Sequence, residues 1–205
     1  MVHTANLFVI AAPSGAGKTT LVQALVKRNP AFKFSVSYTT RKQRKNEVDE
    51  HDYFFVNEER FLELEKQGEL LEYALVFDNH YGTSRTQVHE YLDAGHPVIL
   101  EIDWQGARQV RTSMPSSVSV FILPPTRTEL ERRLRDRKTD SDAVIARRLR
   151  DALGDMSHWD EFDYAIINDD LEQAVTDLEA VLSGKGDASR VSEPKLALQV
   201  KKILV

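Results

Sequence analysis

The sequence contains no cysteine. That excludes a disulfide framework, a zinc–thiolate site and a cysteine nucleophile, and it fits a reducing, cytoplasmic setting. There is no run of 18 apolar residues, so no membrane span is expected. The N-terminus carries no signal-peptide pattern and passes into an apolar run within a few residues. The six histidines (His3, His51, His80, His89, His96 and His158) share no metal-ligand spacing, and nothing resembles a Ser-His-Asp nucleophile set. Positive charge is not in excess either. The formal net charge is −5, which disfavours nucleic-acid binding through bulk electrostatics. Internal repeats and low-complexity tracts are missing as well. What remains is a chain of 205 residues, 41% hydrophobic and 29% charged, long enough to bury a core. A soluble intracellular enzyme is the expectation; monomer and homo-oligomer both stay open.

The most informative stretch is "VIAAPSGAGKTTL", Val9 to Leu21. An apolar run of buried-strand length, Leu7 to Ala12, breaks into small residues and resumes as Lys18-Thr19-Thr20. Leu21, Val22, Leu25 and Val26 then recur at helical spacing. The loop therefore lies between a strand and a helix, the context that G-x-x-x-x-G-K-[ST] requires. Ala11, Ala12, Pro13, Ser14, Gly15, Ala16, Gly17, Lys18, Thr19 and Thr20 are the candidate residues for a nucleotide's phosphates. Such a loop alone fits GTPases, motor ATPases and kinases equally well, so the choice of ATP must come from elsewhere in the chain. Small residues let backbone N–H groups curl around an anion at the positive end of a helix. Lys18 would reach the β/γ-phosphates. The Thr19 hydroxyl would coordinate Mg2+ held mostly by phosphates and water. Ala12 stands where the motif has its first glycine, at a strand end where positive φ is not needed.

Further along, strand-like runs alternate with helical patterns. Lys18 to about Asn29 reads as a helix and "YFFV" (Tyr53 to Val56) as a short strand. Asn57 caps a helix that Gly68 ends. "PVILEID" and "SVSVFIL" are too uniformly apolar for a half-exposed sheet and read as central parallel strands. Thr126 to Glu129 is a capping box. "YAIIN" (Tyr164 to Asn168) supplies a last strand. It is followed by a helix from about Asp170 to Ser183 with a Leu171, Val175, Leu178, Leu182 stripe. This alternation predicts an open α/β sheet with ligands at the carboxyl ends of its strands. The stretch 35–85 breaks the rhythm and reads as an inserted subdomain. The tail from Gly184 ends in "LALQVKKILV", which fits a docked amphipathic helix or a frayed end.

Two more clusters bear on chemistry. In "SVSYTTRKQRKNEVDEHDYFFV" the Arg41 and Arg44 forks, with the Tyr53 hydroxyl, suit a phosphate monoester; a solvated basic turn is the alternative. In the apolar run Leu70 to Phe77, Glu72 either faces solvent on an edge strand or is buried and paired. Buried, it would accept from the N1–H and exocyclic amine of guanine, whereas adenine presents an acceptor at N1. Thr83 and Ser37 would then donate to guanine O6 or contact the amine. Between Arg127 and Arg150 stand eight arginines and one lysine against five acids. Most of these read as exposed helices laced with salt bridges. Trp104 and Trp159 read as packing residues.

Taken together, "PSGAGKTT", "SVSYTTRKQR", "HDYFFV", "LLEYA", "NHYGTSR", "EIDWQGA" and "IINDDL" resemble the guanylate kinase family in its bacterial form, in order from about residue 6 to 184. The resemblance implies the P-loop nucleoside-monophosphate kinase fold, α/β with a parallel central sheet flanked by helices. It implies a core (1–34, 86–125 and 151–184), a GMP-binding insertion (about 35–85), a lid (about 126–150) and a tail (185–205). It implies transfer of the ATP γ-phosphoryl group to GMP, with dGMP a candidate acceptor. By the same resemblance the GMP phosphate falls to Arg41, Arg44, Tyr53 and Tyr81, and the guanine to Ser37, Glu72 and Thr83. The family's acidic strand end, usually Asp-x-Asp, appears as Glu101-Ile102-Asp103. Arg137 and Arg148 are the implied lid contacts and, with Lys18 and Arg44, the implied catalytic residues; Arg133 and Arg135 are secondary candidates. Rival readings are a kinase for another nucleoside monophosphate, an inactive phosphoprotein-binding module with this fold, and a nucleic-acid-binding ATPase.

Overall fold

The computed structural model describes residues 6–45, 47–136 and 142–204. A five-stranded sheet has the order β2-β7-β1-β8-β9. Its strands are β1 (Leu7–Ala11), β2 (Lys33–Phe34), β7 (Val98–Glu101), β8 (Val118–Leu123) and β9 (Tyr164–Ile167). The β2–β7 and β8–β9 pairs are parallel. The side chains of β1 and β8 are buried throughout, which is why these strands read as unbroken apolar runs. A second sheet has the order β4-β3-β6-β5, built from β3 (Ser37–Thr39), β4 (Phe54–Phe55), β5 (Leu70–Val76) and β6 (Asn79–Ser84). Of the expected strand Tyr53 to Val56, only Phe54 and Phe55 pair as strand.

Among the described residues the chain divides into two compact units, one of 10–30 and 118–204, the other of 6–9 and 31–117. In the first, helix α1 (Lys18–Arg28) buries Leu21, Val22 and Leu25. Helix α7 (Leu171–Leu182) buries Val175, Leu178 and Leu182 of the predicted stripe together with Ala174 and Val181, whereas Leu171, at the helix start, is only half-buried. Asp170 caps it, accepting from the Gln173 N–H. Helices α5 (Arg127–Asp136) and α6 (Asp142–Met156) carry the arginine-rich stretch. The expected salt bridges are there: Arg132 meets Glu129 and Asp136, Arg135 meets Glu131 and Asp142, and Arg147 meets Asp151. Yet α5 is not simply an exposed helix, because Leu130 and Leu134 are buried, each contributing roughly 2 kcal/mol. Only half of the capping box forms. Thr126 Oγ1 accepts from the Glu129 N–H, while the Glu129 carboxylate is taken by Arg132 and Arg133. The tail resolves as a docked helix, α8 (Pro194–Leu204), with Leu196, Val200 and Ile203 buried and the Ile203 carbonyl accepting from Arg127 Nε.

In the second unit, α2 (Glu58–Lys66) is capped by Asn57, as its sequence predicts, and Gly68 follows with φ 71°. Phe61 and Leu64 of α2 pack with Leu70. Helices α3 (Arg85–Asp93) and α4 (Trp104–Ser113) follow the two β-segments that carry the candidate site. The β5–β6 hairpin turns on Phe77 and Asp78, both at positive φ, as a two-residue turn of the primed type requires. That turn fixes a register in which Glu72 lies opposite Thr83 and Ala74 opposite Tyr81. Among the described residues no helix is long and apolar enough to cross a membrane.

Candidate active site

The first cluster lies in the loop between β1 and α1. Ala11 ends the strand, Ala12 to Gly17 form the loop, and Lys18, Thr19 and Thr20 make the first turn of α1. The left-handed positions are Gly15 (φ 93°) and Gly17 (φ 89°); Ala12 is not among the positive-φ residues. The Ala16 N–H donates to the Pro13 carbonyl at 3.2 Å, closing the loop on itself. Gly17 is the N-cap of α1, with no side-chain cap and no acid in the first turn. N–H groups in such a turn are the donors an anion takes.

Two partners far along the chain brace this loop. Asn168 Nδ2 donates to the Ala16 carbonyl at 2.8 Å, and Arg133 Nη1 donates to the same oxygen at 3.3 Å. Arg133 Nη2 also donates to the Asn168 carbonyl at 3.0 Å, and its Nε to Glu129 at 2.7 Å. Behind the loop, a Cβ on Gly15 would come within 3.0 Å of Leu130 and Leu134. An open cavity lined by Gly17, Thr20, Arg133, Asn168, Asp169 and Leu171 adjoins the loop. Asn168 was not singled out from the sequence as a site residue. The signal for it was its position, at the carboxyl end of a parallel strand. Arg148 stands half-buried on α6; Arg137 lies outside the described residues.

The second cluster lies on the four-stranded sheet. Ser37 of β3 is opposite Thr83 of β6, and Thr83 is opposite Glu72 of β5, so three candidate residues form one cross-strand row. Directly opposed residues share a face of the sheet. Burial decides between the two readings of Glu72, since it is only 3% exposed, with Thr83 at 1% and Ser37 at 8%. Its carboxylate is partnered: Thr83 Oγ1 donates to Oε1 at 2.6 Å.

Two residues along the same face, a rise of about 7 Å, comes the row of Thr39 and Tyr81. Around it gather the phosphate candidates. Tyr53 and Tyr81 meet edge to face at 6.0 Å between ring centroids, and the Arg41 guanidinium lies over the Tyr53 ring at 5.2 Å. Arg41 makes a two-pronged contact with Glu47, Nη1 to Oε2 at 3.0 Å and Nη2 to Oε1 at 2.8 Å. The Arg44 N–H donates to the same carboxylate, and its guanidinium lies 3.6 Å away. Glu47 was not foreseen as part of this group; its signal was an acid three residues beyond Arg44 in a basic run. Burial raises the Glu47 carboxyl, but the hydrogen bonds from Arg41 and the Arg44 backbone outweigh it and hold the group below its ordinary range. Burial likewise opposes the charge on Arg41, and Glu47 and Tyr81 more than offset it. Burial, with the nearby Glu101 carboxylate, pushes the Tyr53 hydroxyl up to about 12. Tyr53 therefore keeps its proton, and its capacity to donate, throughout the neutral range.

Glu101 ends β7, and Asp103 is the N-cap of α4. Asp103 Oδ1 accepts from the Gly106 N–H at 2.8 Å and Oδ2 from Gln105 Nε2 at 2.9 Å. The described residues of each cluster thus lie within one unit, the first built of glycine-opened backbone, the second of guanidinium forks, hydroxyls and one buried carboxylate.

The family profile described as guanylate kinase matches residues 4–185. The chain is 52% identical to a guanylate kinase of Alkalilimnicola ehrlichii over 199 residues, 97% of this chain and 98% of that one. It is 48% identical to one from Escherichia coli O157:H7, covering 93% and 92% of the two chains. The crystal structure of guanylate kinase from Anaplasma phagocytophilum superposes with a TM-score of 0.75 at 32% identity, covering 97% of this chain and 95% of that one.

Proposed function

The chain belongs to the guanylate kinase family, and from that premise we propose how its own residues divide the work of an ATP:GMP phosphotransferase. The reaction moves the γ-phosphoryl group of ATP onto a phosphate oxygen of GMP, giving ADP and GDP. The observation that carries the reading is the buried Ser37–Thr83–Glu72 row, with the Arg41, Tyr53 and Tyr81 group one row further on. A base at one end and a monophosphate at the other is the ligand such a face suits.

On this reading Glu72 accepts from the N1–H and amine of guanine, with Thr83 and Ser37 beside it. Arg41, Arg44, Tyr53 and Tyr81 hold the GMP phosphate, and Glu47 keeps the Arg41 fork oriented. Glu101 and Asp103 complete the acceptor side, Asp103 while capping α4. The loop residues Ala11 to Thr20 take the ATP phosphates, and Lys18 spreads positive charge over the β- and γ-phosphates. Among the described residues no three His, Asp or Glu side chains gather to hold a metal ion alone. The Thr19 hydroxyl, in the first turn of α1, is the residue that would hold Mg2+, with phosphates and water supplying the other ligands. Bound there, the ion would neutralise charge between the β- and γ-phosphates.

No general base is required. The attacking oxygen belongs to a phosphate whose second pKa is about 6. Catalysis is then in-line positioning and charge stabilisation. Arg148 and Arg137 are assigned to the transferring group as a lid closes, and exclusion of water limits hydrolysis of ATP. The subdivision into core (1–34, 86–125, 151–184), GMP-binding insertion (35–85) and lid (126–150) follows the same roles. The cytoplasm is the proposed setting.

ATP labelled in its γ-phosphoryl group tests the reading. Incubated with enzyme, Mg2+ and GMP, the label should appear in GDP; label released only as inorganic phosphate would overturn it. The loop is tested by Gly17→Ala. The added Cβ, strained at φ 89°, would stand 2.5 Å from Asn168 Nδ2 and dislodge it from the Ala16 carbonyl. KM for ATP should rise on the order of tenfold or more while binding of GMP alone is unchanged. A wild-type KM for ATP would show that the loop's shape is not what holds the triphosphate.

A further inference from the structure

Gly106 sits in the first turn of α4 without a conformational reason to be glycine. Its φ is not positive, and glycine in a helix costs about 1 kcal/mol relative to alanine. Space is the reason. A Cβ built there would collide with Glu72 Oε2, stand 2.9 Å from Glu72 Cδ and 3.3 Å from Ile102 Cδ1. The carboxylate of Glu72 therefore lies between Thr83, which donates to Oε1, and the bare backbone of α4, against which Oε2 rests.

The helix is itself fixed at this point. Asp103 caps its first turn through the Gly106 N–H. One turn on, Gln109 pairs with the main chain of the residue after Glu72: its Oε1 accepts from the Tyr73 N–H at 3.1 Å and its Nε2 donates to the Tyr73 carbonyl at 2.6 Å. A side-chain amide here completes the hydrogen bonding of β5 as a neighbouring strand would. Gly106 and Gln109, three apart, share the helix face turned to β5.

We infer that Gly106 and Gln109 are positioning residues for base recognition: α4 is a wall, flat at Gly106 and clamped by Gln109, that sets where the Glu72 carboxylate stands. This rests on the reading that Glu72 selects the base. The ligand class is a purine that offers two adjacent donors on one edge, and the wall fixes the acceptor pair that meets them. A carboxylate displaced by even an ångström presents its lone pairs off that line, and hydrogen bonds weaken steeply as they bend.

The test compares Gly106→Ala, Gln109→Ala, Glu72→Gln and the double variant Gly106→Ala/Glu72→Asp by steady-state kinetics with GMP and AMP as acceptors. Gly106→Ala should raise KM for GMP on the order of tenfold, leave KM for ATP within about twofold, and lower the preference for GMP over AMP. Gln109→Ala, which adds no atoms, should move the same ratio in the same direction by a smaller factor. Aspartate is one methylene shorter and retreats from the wall, so adding Gly106→Ala to Glu72→Asp should cost less than about threefold more. The inference is overturned if both Gly106→Ala and Gln109→Ala keep the wild-type GMP/AMP ratio while Glu72→Gln loses it, or if Gly106→Ala raises KM for ATP and GMP alike. If Glu72→Gln also keeps the ratio, the reading of Glu72 falls first and the inference with it.

Discussion

Lys18→Ala is expected to lower kcat/KM for the phosphoryl transfer on the order of 10³-fold, about 4 kcal/mol of transition-state stabilisation. The ammonium is assigned to the oxygens between the β- and γ-phosphates, where charge shifts as the γ-phosphoryl group leaves. Its stem leaves the first turn of α1 directly after Gly17, so the backbone that takes the phosphates also aims the side chain. The loss should fall mainly on kcat, because charge stabilisation at the moving group is greater in the transition state than in bound ATP. Calorimetric titration of GMP alone should be unchanged, since its proposed contacts belong to the other unit. A Lys18→Ala enzyme within about tenfold of wild type would mean that the loop binds without taking part in the chemistry.

Glu72→Gln carries the second large effect, and its direction follows from the Thr83 hydrogen bond. The hydroxyl of Thr83 donates to Oε1 at 2.6 Å. A glutamine would keep its carbonyl oxygen there and turn its NH2 toward the base. That amine would confront the N1–H or amine of guanine, donor against donor, in a site where Glu72 is nearly inaccessible. Each unpaired buried donor costs about 1–3 kcal/mol, so kcat/KM for GMP should fall roughly 10²- to 10³-fold. With adenine the same NH2 meets an acceptor at N1, so AMP should be used no worse and relatively better. KM for ATP should stay within about twofold. Parallel assays with both acceptors read the effect; GMP kinetics unaltered by Glu72→Gln would remove the carboxylate from the account.

The features legible in the sequence were those encoded locally. The phosphate loop is one contiguous stretch, and its glycines, lysine and threonine fall on the strand–loop–helix junction they imply. The uniformly apolar β7 and β8 showed as buried strands for the same reason. Glu72 was conspicuous as a carboxylate among apolar residues, but its burial depended on register. The row of Ser37, Thr83 and Glu72 joins three strands through a turn at Phe77–Asp78 and an irregularity between Leu70 and Glu72. Periodicity alone carries no such information. The brace on Ala16 comes from Asn168, 152 residues away, and only the packed fold brings them together. Gly106 escaped notice because glycine in a helix has several meanings, and only the neighbour in space, Glu72, tells which applies. On α5, two leucines four apart in a charge-dense helix form a stripe too narrow to announce burial, yet they back the loop at Gly15. The tail helix α8 displayed an apolar face; the pattern named the face and not the surface that covers it.

The most direct test is the ratio of kcat/KM for GMP over AMP in the unaltered protein, measured by ADP release with saturating ATP and Mg2+. A buried acceptor pair facing guanine's two donors predicts a ratio on the order of 10⁴ or more. A ratio near one, or no ADP release with either nucleotide, would contradict the account.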